Sequence, residues 1–369
     1  MAARLAPSHP YRILSIVGTR PEAIKMRPVL RALAGVPVLD QQVLLTGQHE
    51  GLGASFERYS RIELRLDLSE QSAGELRETI QDAIGDHLRR DLPDLVLVQG
   101  DTTSALAGAL AAQDCRVPVA HVEAGLRSHK REPWPEEDNR VAIDAIADLL
   151  FAPTEAAAAN LALEKAVRGD IHITGNSGID ALLHSMGSPA PSAKADRRRI
   201  LVTSHRRENK GQQLEAICAA LKRLVRELPV EVLFLLHSNP QRRAAIEAKL
   251  AGVEHIQLSG PVDHTEMIDL MLGSWLLLTD SGGLQEDGPA LGIPVLVMRD
   301  VTERVEAPGN IELVGTDPDA IFGTVNRLLL SDTCYARMAQ PAMPFGDGLA
   351  APRIAAILVD WLERRKRAA

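Results

Sequence analysis

The run Ser281-Gly282-Gly283 directly follows an apolar stretch, Trp275 to Asp280, and opens a helix-like segment, Leu284 to Leu291. A buried strand that breaks at two glycines and turns into a helix aims free backbone N–H groups at one point, and the helix dipole adds partial positive charge there. Such a turn suits a phosphate or a diphosphate. Two other strand ends deliver carboxylates: the apolar run Leu95 to Gln99 leads into Gly100-Asp101, and Val117 to Val122 leads into Glu123. The chain thus sets an anion-binding turn and acid/base carboxylates at strand ends, the edge where open α/β sheets bind ligands.

Further groups fall at similar places. After the first apolar run comes Gly18-Thr19-Arg20-Pro21-Glu22-Ala23-Ile24-Lys25, where Arg20 offers a planar fork and Lys25 a point charge for an anion. A plain strand–helix turn with solvated charges fits the same letters. Asp101 can serve as a reactive carboxylate, as the N-cap of a helix beginning at Thr102-Thr103, or as both. Glu123 follows His121 by two, so the pair shares a face if the strand continues. Between Arg127 and Arg140 lies a segment dense in charge and fixed by Pro133, Trp134 and Pro135. There Asp138 or Asn139 can cap the next helix, and Glu136 and Arg140, one turn apart, can meet. His205 stands beside Arg206 and Arg207 and could steady a departing phosphate, or belong to a basic surface loop. His237 precedes Asn239-Pro240, a helix entry with Asn239 as cap. The charged loop Arg299 to Arg304 follows the next strand and should share its sheet edge. Asp317-Pro318-Asp319 matches a metal-binding DxD in letters only and reads as a helix cap.

These groups need a scaffold of alternating strands and helices, and the chain supplies one. Short apolar runs near 12–17, 42–46, 95–99, 117–122, 149–152 and 171–173 alternate with helix-period segments, and the alternation restarts near 199–203, 230–236, 254–258, 275–279 and 293–297. This is the βαβ pattern of parallel sheets. Pro28 should kink or end the helix that Pro21 starts. A length of 369 residues suits two domains. We expect an N-terminal Rossmann-like domain over 11–186 carrying the carboxylates, a linker over 187–198, a C-terminal Rossmann-like domain over 199–351, and a final helix over 352–369 returning to the first domain. The fold class expected is α/β, two doubly wound domains facing a cleft.

With 3% aromatic residues, the core must be built from Leu, Ile, Val and Ala. A net charge of −8 argues against nucleic acid as the main partner. Cys115, Cys218 and Cys334 lie far apart, so neither a disulfide framework nor a zinc site is indicated. No secretory h-region and no apolar run of about 18 residues occurs, which leaves a reducing cytoplasm as the default and no membrane span.

Read together and in order, Gly18 to Lys25, Gly100-Asp101-Thr102-Thr103, His121 to Arg127, Pro133-Trp134-Pro135-Glu136-Glu137, Thr174-Gly175-Asn176, His205 to Asn209, Asp280 to Gly283 and Thr302-Glu303-Arg304 resemble the non-hydrolysing UDP-N-acetylglucosamine 2-epimerases. The likeness runs from about residue 12 onward. It implies two Rossmann-like domains of the glycosyltransferase-B type, a homodimer, and reversible conversion of UDP-N-acetylglucosamine to UDP-N-acetylmannosamine. It places Asp101, Glu123, Glu136, Arg140 and His205 in the catalytic set. Arg20, Lys25, His205, His237, Ser281, Gly282, Gly283, Asp287 and Arg304 would hold UDP or the sugar nucleotide.

The sequence departs from the family's common pattern at Asp287, one methylene shorter than the glutamate that grips the ribose, and at Gly51, where many bacterial members carry a side chain that helps bind a second, activating UDP-sugar. The chemistry suits the residues. The C2–H is not acidic, so UDP is eliminated across C1–C2 to a 2-acetamidoglucal and adds back with reprotonation from the other face; this needs two carboxyl groups of different ionisation, cations for the diphosphate, and neither metal nor redox cofactor. A modified UDP-sugar as substrate, a hydrolysing epimerase and a UDP-sugar glycosyltransferase remain as alternative readings.

Overall fold

The computed structural model describes residues 9–68, 71–130, 133–186, 196–204, 211–237, 239–304 and 309–368. Residues 187–195 of the expected linker over 187–198 lie outside them, as does His205. The chain divides into two compact units, Met1–Ala181 with Phe345–Ala369, and Leu182–Pro344.

The first unit runs β1 (Tyr11–Val17), α1 (Arg20–Ala34), β2 (Leu39–Leu45), a short 3-10 turn (Leu52–Phe56), β3 (Ser60–Glu63), α2 (Ala73–Arg90), β4 (Leu95–Gln99), α3 (Thr103–Asp114), β5 (Val119–Val122), α4 (Glu136–Ile146), β6 (Leu149–Ala152), α5 (Glu155–Leu163) and β7 (Asp170–Ile173); α6 (Ser177–Ser185) crosses into the second. All pairings are parallel, in the order β3-β2-β1-β4-β5-β6-β7. The order reverses between β1 and β4, which pair from Ile13 opposite Leu95. The turns at Gly18 and Gly100 therefore flank the switch point, where such sheets bind ligands.

The second unit runs β8 (Arg198–Thr203), α7 (Gln212–Glu227), β9 (Val230–Leu235), α8 (Pro240–Leu250), β10 (Ile256–Ser259), α9 (His264–Leu272), β11 (Leu276–Thr279), α10 (Gly282–Ala290), β12 (Val295–Val297), β13 (Ile311–Leu313), α11 (Pro318–Leu330) and α12 (Asp332–Met338). Its sheet, also parallel, has the order β10-β9-β8-β11-β12-β13, with the switch point between β8 and β11. α13 (Ala350–Ala368) then belongs to the first unit.

The strand sequences explain this layering. A parallel strand covered on both faces is apolar throughout, and β4 shows how: Leu95 and Leu97 join Met26, Leu30, Ile354 and Leu358 on one face, while Val96 and Val98 join Ile84, Leu88 and Ala109 on the other. Small residues let helices approach closely. A Cβ added at Gly108 of α3 would lie 2.9 Å from the Ile16 side chain. No helix among the described residues is long and apolar enough to cross a membrane.

Three features differ from the sequence expectation. Pro28 does not end α1, which continues to Ala34 because Val29, Leu30 and Leu33 are buried beyond it. β3, with one apolar residue in Ser-Arg-Ile-Glu, and β13, only the three residues Ile-Glu-Leu, are too slight to announce themselves. The chain returns to the first unit at Phe345, ahead of Pro352. The Phe345 carbonyl accepts from the Asn176 N–H at 2.6 Å, and the Asp180 carboxylate accepts from the N–H groups of Ala350 and Ala351 at 3.2 and 2.8 Å.

Asp180 thus caps a helix far away in sequence. Asp180→Ala should cost about 1–2 kcal/mol, the usual loss for an N-cap, with Asp180→Asn costing less; the shift in urea midpoint measures both, and equal midpoints for wild type and Ala variant would refute the cap.

Candidate active site

In the first unit, Thr19 and Glu22 form a capping box at the start of α1. The Glu22 carboxylate accepts from the N–H groups of Gly18 and Thr19 at 3.0 and 2.6 Å, and its other oxygen accepts from the Thr102 hydroxyl at 2.6 Å. It therefore ties the β1–α1 turn to the β4–α3 turn across the switch point. Burial pushes the Glu22 carboxyl up to about 7, against the lowering effect of those hydrogen bonds. Gly18 is required here, since an added Cβ would lie 1.9 Å from the Ser104 hydroxyl.

Thr102, not Asp101, caps α3, accepting from the Ala105 N–H at 3.1 Å. The Asp101 carboxylate is left for Arg140, which donates to it at 2.5 Å, and the Asp101 carbonyl accepts from the Asn139 side chain at 2.9 Å. Arg140 is buried and also faces Glu137 at 3.5 Å. The expected pairing of Glu136 with Arg140 is thus replaced: the helix starts at Glu136, which is half-buried, and Arg140 turns to Asp101 and Glu137. The expected Asp138 or Asn139 cap is not used either, because Pro135 occupies the N-cap position and Asp138 is exposed.

β5 ends at Val122, and Glu123 takes the left-handed backbone with φ 73°. His121 and Glu123 therefore do not share a strand face. Glu123 is buried, accepts from the Gln99 side-chain amide at 2.8 Å, and is ion-paired with Lys25. Two carboxylates at adjacent strand ends are held by different cations, Asp101 by Arg140 and Glu123 by Lys25. Arg20 is exposed, and its backbone N–H donates to His49 Nδ1 at 3.3 Å; burial lowers the ionisation of that imidazole.

In the second unit, β11 leads through Asp280 and Ser281 into α10, whose first residues are Gly282 and Gly283; the Ser281 side chain makes no capping bond. The Arg304 guanidinium lies directly on Gly282, where an added Cβ would be 2.6 Å from Nη1. Arg304 donates to Glu286 at 2.8 Å and pairs with Glu303, which Arg299 also reaches at 2.9 Å. Thr302 donates to Gln285 at 2.5 Å, so α10 itself fastens the 299–304 loop. Asp287 is half-buried on α10. His237 Nδ1 accepts from the Asn239 N–H at 2.9 Å beside the Asn239 cap of α8.

The structure thus gathers Lys25, Asp101, Glu123 and Arg140 at one edge of the first sheet, and Ser281, Gly282, Gly283 and Arg304 at one edge of the second. Sequence reasoning missed Glu22, Gln99, Glu137 and Asp144. For Glu22 a signal existed in the spacing Thr19-x-x-Glu22, a capping box. Asp144 lies one turn beyond Arg140 on the same helix face.

A family model described as UDP-N-acetylglucosamine 2-epimerase matches residues 31–359. The chain belongs to that family. It is 40% identical over 364 residues to the UDP-N-acetylglucosamine 2-epimerase of Escherichia coli K12, covering 93% of this chain and 97% of that protein. It is similar in structure to the epimerase of Neisseria meningitidis bound to UDP-GlcNAc, with a TM-score of 0.88, 36% identity, and coverage of 95% of this chain and 100% of that one. The Staphylococcus aureus MnaA–UDP co-structure gives a TM-score of 0.89 at 35% identity, covering 96% of this chain and 97% of that one. The two α/β units of this epimerase-family chain are glycosyltransferase-B-like.

Glu22 gives the site a measurable signature. Its carboxyl holds a proton in the folded state up to about pH 7, while the unfolded chain has lost it above about 4.5. Stability from this group is full below about pH 4.5 and declines as pH rises to about 7. Glu22→Gln keeps the shape and removes the charge. Relative to wild type it should therefore be more stable at pH 8 than at pH 5 by up to roughly 3 kcal/mol, read from urea midpoints; a difference independent of pH would contradict this.

Proposed function

We propose that this chain interconverts UDP-N-acetylglucosamine and UDP-N-acetylmannosamine without hydrolysis. One carboxylate takes the C2 proton, the C1–O bond breaks with its electron pair leaving on UDP, and a C1–C2 double bond forms. UDP then attacks C1 again while a second acid protonates C2 from the opposite face. The observation that carries the reading is the pair of carboxylates at adjacent strand ends, each with its own cation, which suits a base on one face and an acid on the other.

In this reading Asp101, Glu123 and Glu136 share the acid–base work, with Arg140 holding Asp101 and Lys25 holding Glu123. Ser281, Gly282, Gly283 and Arg304 receive the diphosphate, Asp287 the ribose, and His237, Arg20 and His205 complete the set. The similar Neisseria epimerase, bound to UDP-GlcNAc, supports the substrate class. A homodimer in the cytoplasm is part of the same proposal.

The test is turnover of UDP-N-acetylglucosamine in deuterated water, with product identity and C2 label as readouts. Asp101→Asn, Glu123→Gln and Glu136→Gln should each lower turnover about 10²–10⁴-fold while unfolding midpoints stay near wild type. Near-normal turnover in all three removes the acid–base assignment, and free N-acetylmannosamine as product replaces it with a hydrolytic reaction.

Gly282→Ala tests the diphosphate site. The new Cβ would have to push the Arg304 guanidinium aside. UDP affinity by calorimetry should fall at least about tenfold, about 1.4 kcal/mol; unchanged affinity would move the diphosphate elsewhere.

A further inference from the structure

The turn that carries Asp101 is held at three successive residues. Glu22 holds the Thr102 hydroxyl and Asn139 holds the Asp101 carbonyl. The third grip is on Gly100, which has φ 70°, and it comes from a histidine with no part in the proposed chemistry. His121 is fully buried on β5. Its Nε2 lies 2.8 Å from the Gly100 carbonyl and its Nδ1 lies 2.6 Å from Asp144 Oδ1.

A carbonyl oxygen only accepts, so Nε2 must carry a proton. The Asp144 carboxylate also accepts from Arg127 at 2.7 Å and from the Gly125 N–H at 3.1 Å. The always-charged Arg127 guanidinium and the Gly125 N–H both meet the other carboxylate oxygen, Oδ2, and favour the ionised form of Asp144 whatever the state of His121. An ionised Asp144 only accepts, so Nδ1 must carry a proton too. A histidine that donates from both nitrogens is an imidazolium.

Charge closes around it. Arg127 also makes a two-bond contact with Glu164, at 2.6 and 2.8 Å. The charged groups set against His121 are then Asp144 from α4, with Arg127 from the β5–α4 connection and Glu164 beyond α5 completing a network of two cations and two anions. Paired in this way, a buried charge is tolerated, whereas removing one partner strands the others.

The placement links the site's parts. Asp144 rides on α4, the helix that also carries Asn139 and Arg140. His121 lies two residues before Glu123, and its ring reaches the carbonyl one residue before Asp101. We infer that His121, held as an imidazolium by Asp144, is a positioning residue for the epimerisation: its ring fixes the Gly100–Asp101 turn relative to α4 and Glu123. It rests on the epimerase reading and on Asp101 as an acid–base group. His121 need not touch substrate.

The experiment has two arms. In the first, the intact wild-type enzyme is labelled with 15N-histidine and the ring nitrogens of His121, assigned by comparison with His121→Gln, are observed at pH 7. Both nitrogens protonated is the expected result; a neutral ring overturns the inference. Should His121→Gln fold too poorly for a peak-by-peak comparison, the ring pair that shifts selectively in folded Asp144→Glu assigns His121 instead, because Asp144 Oδ1 faces its Nδ1.

In the second arm, His121→Gln retains a donor for the Gly100 carbonyl and loses the link to Asp144. Its kcat should fall roughly 10- to 100-fold, the cost of misplacing a reacting group by about an ångström. KM should stay within about twofold and UDP affinity should not change. An active wild type with an equally active, folded His121→Gln overturns the positioning role alone. A wild type that never exchanges C2 overturns the epimerase reading and the role built on it, while the ring-protonation result reports separately on the network.

Discussion

Ionised carboxylates are expensive to bury, and the first unit buries several at one sheet edge. Its answer differs from group to group. Glu123 is matched by Lys25, Asp101 by Arg140, and Asp144 by His121 and Arg127 together. Glu22 is given neutral donors, two backbone N–H groups and a hydroxyl, and burial drives it up to about 7. Geometry follows from this matching. Each ion pair joins residues far apart in sequence, so satisfying the charges also fixes β1, β4, β5 and α4 relative to one another.

In the proposed reading the second unit meets the opposite demand, a place for an anion. Its device is a helix entry without side chains at Gly282 and Gly283, roofed by the Arg304 guanidinium. Glu286 and Glu303 hold that guanidinium in place, so the cation is already engaged and need not be ordered from a disordered loop. Preorganisation of this kind reduces the entropy lost when a ligand docks.

Much of this was legible in the residues. Apolar runs ending in Gly-Asp, Val-Glu and Asp-Ser-Gly-Gly marked the strand ends, because a fully covered parallel strand must be apolar and the polar residue after it must lie at the edge. Edge strands were not legible: β3 carries one apolar residue in four and is recognisable only by its pairing with β2. The partners of Arg140 were misread because i to i+4 spacing says which residues can meet on a helix, not which carboxylate on a neighbouring strand end competes for the same guanidinium. Thr102 took the cap expected of Asp101 for a similar reason, since either residue satisfies the local rule and only the tertiary contact with Arg140 decides. Glu22 and His121 read as motif letters, and their contacts became visible once their partners, 80 and 21 residues away at Thr102 and Gly100, were in place.

The helix α13 fills one face of the first unit's core through Ile354, Leu358 and Leu362, yet the whole second unit intervenes before it in sequence. On a ribosome, where domains usually fold in order of emergence at about 5–20 residues per second, that order is broken here. The second unit has all of its strands and helices out before the first has its final helix. For roughly ten seconds or more, the sheet that carries Asp101 and Glu123 waits with the Met26–Leu30 face of α1 uncovered. Over such an interval the nascent first unit exposes to water an apolar face that the finished protein covers.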